Sequence, residues 1–270
     1  MRIFVTGGNG KIGRKMLERG CFHLNCDVTD VVDIDKSIQK SQPDVIIHLA
    51  GKADVNWCET NYKQASKVNY GGSCNMYLMS EKYNIPLVYL SSDHIFSGKW
   101  LGGYSEKSTD FKPVNKYGIT KLSGEAAAMA FDNVKIVRTS TQFWDGAGAV
   151  GDMVDRLKRN EHVYSPVYMW RSFMNINHLC DNLVSYCAVS KYMPKILNLS
   201  GSKVVSWYTL TKSLARLHNK EHLVHPRFIE NPYMNFVPRP LRVGLSTKLS
   251  KYLGFIQYDY MDGLKELDWQ

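Results

Sequence analysis

Short, unbroken runs of apolar residues punctuate the first half of the chain. They are Arg2-Ile-Phe-Val-Thr6, Pro43-Asp-Val-Ile-Ile-His-Leu-Ala50, Ile85-Pro-Leu-Val-Tyr-Leu90 and Val134-Lys-Ile-Val-Arg138. A continuous run, rather than strict alternation, marks a strand covered on both faces, as in a parallel sheet. Between the runs lie segments with helical spacing: one from residue 11 carrying Ile12, Met16 and Leu17 inward, then 30–41, 60–83, and a helix holding Tyr117 and Lys121. Residues 52–59 and the polar stretch 98–115 read as loops. This alternation predicts an α/β fold, a Rossmann-like doubly wound parallel sheet. A second strand is expected only in the short stretch 21–26, which ends at Asp27, so this region looks trimmed. Past residue 147 the alternation weakens. Helices are predicted near 150–159, 177–189 and 207–217, a strand at 196–199, a proline-rich stretch over 228–240 and two short terminal helices. The expected division is a sheet domain over 1–146 and a smaller lobe over 147–270, interleaved with it.

Composition narrows the class. Of 270 residues 44% are hydrophobic and 22% charged, ordinary values for a globular protein. No apolar run reaches the length of about 18 that a membrane helix needs, and no signal peptide is read at the start, so a cytoplasmic protein without membrane attachment is expected. The six cysteines form no CxxC pair, which favours reduced thiols and no metal centre. The net charge is +9. No Arg/Lys block or RNA-binding motif accompanies it, so the charge is read as an attraction for small phosphorylated ligands rather than nucleic acid.

Candidate chemistry starts at Gly7-Gly-Asn-Gly10-Lys-Ile-Gly13. A glycine turn between a strand and a helix lets backbone approach a pyrophosphate, which the helix start then attracts. Gly7, Gly10, Lys11, Ile12 and Gly13 are therefore candidate dinucleotide contacts. Asp33 and Asp35 have the spacing of a ribose ligand but fall in a helix. Asp27, at the strand end with Val28 beside it, fits better. Lys11 and Arg14 either meet a 2′-phosphate or are solvated helix residues. Leu49-Ala50-Gly51 ends a buried strand in small residues, where backbone passes close to a cofactor. Ser91-Ser92-Asp93-His94 ends another, and ligands of open α/β sheets bind beyond such ends. Side chains alternate along a strand, so one of the two serines is expected to enter the site, and His94 reads as a loop residue. Tyr117 and Lys121 are four apart, on one helix face. A phenol of pKa about 10 beside an ammonium should titrate nearer neutrality, which suits general acid–base catalysis.

Together these parts resemble the extended short-chain dehydrogenase/reductase family, and within it the dTDP-4-dehydrorhamnose reductases. The resemblance rests on Gly10-Lys-Ile-Gly13, Pro43-Asp44, Val55-Asn56 with Glu59, and Ser91-Ser92-Asp93-His-Ile-Phe96-Ser-Gly98. It continues through Pro113-x-Asn115-x-Tyr117-Gly-x-Thr120-Lys121-x-x-Gly124-Glu125, Arg138-Thr139-Ser140, and Arg239-Pro240 with Leu245-x-Thr247-x-Leu249. It implies a reductase moving hydride from NADPH or NADH to the C4 keto group of a nucleotide-linked 4-keto-6-deoxy sugar. Tyr117 would protonate the oxygen, Ser92 would hydrogen-bond it, and Lys121 would hold the nicotinamide ribose and lower the Tyr117 pKa. Asn69 joins the cofactor contacts, and Lys52, Asn56, Asp93, Trp144 and Arg239 the substrate contacts. The chain departs from the resemblance where Thr141 replaces a tryptophan, at Arg239-Pro-Leu-Arg-Val243, and over residues 171–179, which are closer to nucleotide-sugar epimerases. An epimerase or epimerase/reductase that keeps its NAD(P), and a non-catalytic NADP-binding regulatory subunit, are the alternative readings. A homodimer is compatible with each.

Overall fold

The computed structural model describes residues 1–99, 103–144, 146, 148–228 and 237–269. Most of the predicted proline-rich stretch therefore lies outside the described residues. The first half runs β1 (Ile3–Thr6), α1 (Lys11–Leu17), β2 (Phe22–His23), α2 (Val31–Ser41), β3 (Val45–His48), α3 (Val55–Thr60) and α4 (Tyr62–Ser66). A π-helical turn (Lys67–Gly72) then leads to α5 (Ser73–Lys82), β4 (Leu87–Ser92), α6 (Lys116–Ala128) and β5 (Val134–Thr139). The second half holds β6 (Gln142–Phe143), α7 (Gly148–Lys158), β7 (Val163–Pro166), β8 (Trp170–Arg171), β9 (Met174–Asn175), α8 (Ile176–Val189) and β10 (Ile196–Asn198). It ends with β11 (Val205–Ser206), α9 (Trp207–Leu217), β12 (Val224–Arg227), α10 (Lys248–Tyr252) and α11 (Tyr260–Lys265).

Six strands make one parallel sheet in the order β10-β5-β4-β3-β1-β2. The chain leaves β1 toward β2, then returns to place β3 on the other side of β1. That reversal opens a crevice beyond the carboxyl ends of β1 and β3, where ligands of such sheets bind. One face of the sheet packs on Met16, Leu179, Leu183 and Tyr186, the other on Ile34, Ile38, Met76 and Tyr77. Buried on both faces, the strands need the unbroken apolar runs that their sequence shows. Beyond residue 147, β10 enters this sheet beside β5 and α8 packs against α1. A third cluster, with Val154, Leu157, Leu210 and Leu214, unites α7, α9 and α11.

The structure corrects the sequence reading in two places near the crevice. Residues 55–59, expected as loop, are helical and run on to Thr60, because the Asp54 side chain accepts the Trp57 N–H and caps that turn. The helix expected over 60–83 starts at Tyr62 and widens into the π-turn. At the turn's end Gly72 lies against Val28, where a Cβ would come within 2.7 Å of Cγ2. Such π-turns frequently mark functional sites. Among the described residues no helix is long and apolar enough to cross a membrane.

Candidate active site

The glycine turn after β1 uses its glycines differently. Gly7 has φ +66°, and a Cβ there would lie 2.8 Å from the Ala50 backbone. A Cβ on Gly13 would lie 2.3 Å from the Gly7 carbonyl oxygen. At Gly10 the nearest obstacle is that same oxygen at 3.2 Å, and the residue is exposed. The outer two glycines are thus required by the fold, and the middle one leaves room above the turn. Among the described residues no side chain caps α1, which leaves its first N–H groups to meet a phosphate. The bare cradle fits a dinucleotide pyrophosphate. Lys11 reaches across the cleft instead of along it, its Nζ 4.3 Å from the centre of the Trp144 ring.

A buried hydrogen-bond chain ties this turn to α6. The Leu49 and Ala50 N–H groups donate to Thr6 Oγ1 at 3.1 Å, so the Thr6 hydroxyl proton points at His48 Nδ1, 2.8 Å away. His48 Nε2 then donates to Ser73 Oγ at 3.0 Å, and Ser73 to the Asn69 carbonyl at 2.6 Å. Burial drives the His48 pKa down to about 3, which keeps the ring neutral. Asn69 is 1% exposed. Its Oδ1 accepts the Lys52 N–H at 2.7 Å, and its Nδ2 donates to the Lys52 carbonyl and to Thr120 Oγ1. Thr120 donates in turn to the Tyr117 carbonyl. Asn69, implied as a cofactor contact, spends its polar atoms joining the loop after β3 to the helix of Tyr117.

The cleft floor holds Ser91, Ser92, Tyr117 and Lys121, walled by Ile12, Leu49 and Thr139. Both serines line it, where one was expected. β4 ends at Ser92 and turns into a 3₁₀ turn (Asp93–Ile95), so the cleft wraps around the strand end and strict alternation stops. Ser92 Oγ accepts the His94 N–H at 3.2 Å, and the serine acts to lower the Tyr117 pKa. Ser91 Oγ is buried with no hydrogen-bond partner among the described residues.

Titration departs from the sequence expectation. Burial pushes the Tyr117 phenol up to about 12, against the Ser92 hydrogen bond, which lowers it. Lys121 does not pull it down. Lys121 is itself pushed down to about 7 by burial, with its Nζ 4.0 Å from the centre of the Tyr89 ring. Helical spacing put the two residues on one face but did not show that they sink together into a low-dielectric wall. His94 stands edge-on to Tyr117 at 5.5 Å. It is held neutral by burial, with its pKa lowered to about 3, and accepts from Asn115 Nδ2 at 3.1 Å. It is a packing residue.

Among the implied substrate contacts, Arg239 donates to Asn56 Oδ1 at 2.8 Å, so two residues 183 apart in sequence meet, although neither lines the cleft of Ser92, Tyr117 and Lys121. Lys52 lies over the Trp57 ring at 5.4 Å. Asp93 is only 2% exposed and sits behind Ser92. It accepts from Ser140 Oγ at 2.6 Å and from Ser92 Oγ at 3.2 Å, with Arg171 Nε 4.0 Å away. Burial raises its pKa despite Arg171. It braces Ser92 from behind instead of facing the cleft. Asp27 is exposed and accepts both the N–H and the hydroxyl of Thr29, which lowers its pKa. Thr139, Ser140 and Gln142, also on the lining, went unassigned. Thr139 ends β5 and Ser140 follows it, so both were findable by the rule that found the serines. Nothing in the sequence marks Gln142.

The RmlD substrate binding domain family matches residues 1–270, and the chain belongs to that family. A probable low-salt glycan biosynthesis reductase, Agl14, of Haloferax volcanii is 27% identical over 57% of this chain and 57% of its own length. A dTDP-4-dehydrorhamnose reductase of Sinorhizobium fredii is 33% identical over 52% of this chain and 50% of its own. The matched stretch thus spans about half the length of these two relatives. A crystal structure of a Bacillus anthracis dTDP-4-dehydrorhamnose reductase in complex with NADP superposes with a TM-score of 0.88 at 24% identity, covering 98% of this chain and 97% of that one. That likeness is one of fold.

Proposed function

We propose that the chain is an NAD(P)H-dependent reductase of the C4 keto group of a nucleotide-linked 4-keto-6-deoxy sugar. The observation that carries this reading is the meeting of Ser92, Tyr117 and Lys121 on one cleft floor beside a glycine turn at the crevice of a parallel sheet. The cofactor, when bound, supplies the hydride. Everything else falls to the chain. The Gly7–Gly13 turn holds the pyrophosphate. The Tyr117 phenol, protonated at neutral pH, is the general acid that gives its proton to the sugar oxygen as charge gathers there. The Ser92 hydroxyl, by turning its one proton away from Asp93, donates to the same oxygen, and donors of this kind stabilise developing charge. Lys121, whose pKa burial lowers to about 7, holds the nicotinamide ribose. Asn56 and Arg239, which bond to each other, together with Trp144, take the nucleotide-sugar side, to which the chain beyond residue 147 contributes. Nucleic acid plays no part in this reading.

The test is a panel of dTDP-linked 4-keto sugars with NADPH or NADH, followed by loss of cofactor absorbance and by analysis of the sugar product. Net cofactor consumption with a 4-hydroxy product is expected. An isomerised sugar without net consumption would replace the reading with an epimerase, and cofactor binding without either would leave a regulatory subunit.

A further inference from the structure

Gln142 has no part in the reading above, although it lines the same cleft as Ser92, Tyr117 and Lys121. Its place follows from β6. That strand pairs with β9, Gln142 beside Met174 and Phe143 beside Asn175, and side chains alternate along a strand. Phe143 enters the third apolar cluster, which turns the half-buried Gln142 toward the cleft.

Its amide is held in one orientation. Nε2 donates to Thr139 Oγ1 at 2.9 Å and to the Ser140 carbonyl. A carbonyl only accepts, so the nitrogen must be the amide atom on that side. Both N–H groups are thereby used. Oε1 accepts no hydrogen bond among the described residues and is left for a ligand. Thr139 is the register partner of Ser92 between β5 and β4. Adjacent strands lie about 4.8 Å apart, so the amide stands roughly one strand over from the Ser92 hydroxyl. The other polar side chains of the lining are hydroxyls and lysines, all able to donate, and among the described residues the lining has no carboxylate. Gln142 Oε1 is thus the one side-chain atom of that described lining that accepts and cannot donate. A ketone has no proton to give it. The hydroxyl on the next carbon has one. In a 4-keto-6-deoxy sugar that carbon is C3, since C5 carries the methyl group and the ring oxygen.

We infer that Gln142 is a specificity-determining residue: with the ketone on Ser92 and Tyr117, its Oε1 accepts the C3 hydroxyl, so the chain selects 4-keto sugars in which that hydroxyl is free. The inference rests on the reductase reading. It is tested by steady-state kinetics of the full chain, with NADPH or NADH, on a dTDP-linked 4-keto-6-deoxy sugar and on its 3-deoxy counterpart. The wild type should favour the 3-hydroxy sugar by about tenfold or more in kcat/KM, because the 3-deoxy sugar leaves the amide oxygen unpaired. The difference should fall mainly in KM, since the hydroxyl is held alike before and during hydride transfer. Gln142→Met, of similar length and without the amide, should lose about tenfold or more on the 3-hydroxy sugar and then treat the two sugars within about threefold of each other. Ser91→Ala should keep the wild-type preference. A wild type that reduces both sugars alike overturns the inference and leaves the reductase reading standing, whether or not the variants fold. A Gln142→Met protein that keeps the preference, or a preference that Ser91→Ala abolishes, also overturns it. A wild type that reduces neither sugar removes the reductase reading and the inference with it.

Discussion

Helix α6 has two ends with opposite characters. Its later turns face the core, where Glu125 accepts from Arg138 Nε at 3.0 Å and Nη2 at 2.7 Å. The rings of Phe96 and Phe111 cover that guanidinium at 5.3 and 5.4 Å. Its first turns face the cleft, where Lys121 is 9% exposed, its Nζ lies over the face of Tyr89 and makes no hydrogen bond or ion pair among the described residues, and the Glu125 charge acts on it without an ion pair. Both regions bury a cation within one helix length. A charge whose partners are all supplied belongs to the scaffold, whereas one buried without them shifts its pKa and marks a site. Removing a group from each end should therefore produce different kinds of damage.

The largest effect is expected from Tyr117→Phe. General acid–base catalysis contributes about 10²–10⁴-fold, so kcat should fall by that range, roughly 3–5 kcal/mol of barrier. Melting temperature and cofactor affinity should hold. A Tyr117→Phe protein turning over its substrate at the wild-type rate would remove Tyr117 from the chemistry.

The other end of the helix should show the converse. Glu125→Gln leaves Arg138 buried with a neutral partner, and breaking such a pair costs about 3–5 kcal/mol. Urea unfolding should record that loss, while the fraction still folded keeps its specific activity. A loss of activity without a loss of stability would put Glu125 in the site and dissolve the contrast.

Lys121→Met should act on stability in the opposite direction, and only at some pH values. The folded pKa is about 7 against 10.5 for the free side chain. As pH falls from 10.5 to 7 the unfolded chain gains a proton that the folded chain refuses, so the lysine costs stability through that window and keeps its full cost below pH 7. Methionine at this position should stabilise the protein by roughly 2–4 kcal/mol at pH 6. At pH 10 the gain should be under about 1 kcal/mol, and catalysis should be lost at both. An equal gain at the two pH values would show that burial of charge is not the cause.

The same contrast decides what could be read from the sequence. The sheet was legible because β1, β3, β4 and β5 are apolar on both faces, and that leaves a pattern in the chain. The candidate site was legible where strand ends and helical spacing converge: Ser92, Tyr117 and Lys121 line one cleft. What escaped depends on contacts between distant segments. Asn69 looks like a solvent-facing helix residue until the π-turn rotates it under Lys52 and Thr120. Asp93 reads as a ligand contact until Ser140 and Arg171 close behind it. The direction of the Tyr117 shift could not be read from a four-residue spacing, because desolvation comes from the whole wall around it.

The smallest predicted effect carries the contrast into the glycine turn. Gly13 belongs to the scaffold: its Cβ would lie 2.3 Å from the Gly7 oxygen and 2.7 Å from the Gly8 Cα, both backbone atoms that cannot swing aside. Gly13→Ala should therefore destabilise the fold by about 1–3 kcal/mol, the range for overpacking. Gly10 has φ −75° and ψ 172°, a conformation open to any residue, and faces away from the core. Gly10→Val should fold with nearly the wild-type melting temperature while its methyl groups fill the space above the turn. Affinity for NADPH should then fall by about tenfold or more, at least about 1.4 kcal/mol. Calorimetric titration of the folded variant is the measurement. Unchanged NADPH binding by a normally folded Gly10→Val protein would show that the open face of the turn holds no pyrophosphate, and that all three glycines serve the fold alone.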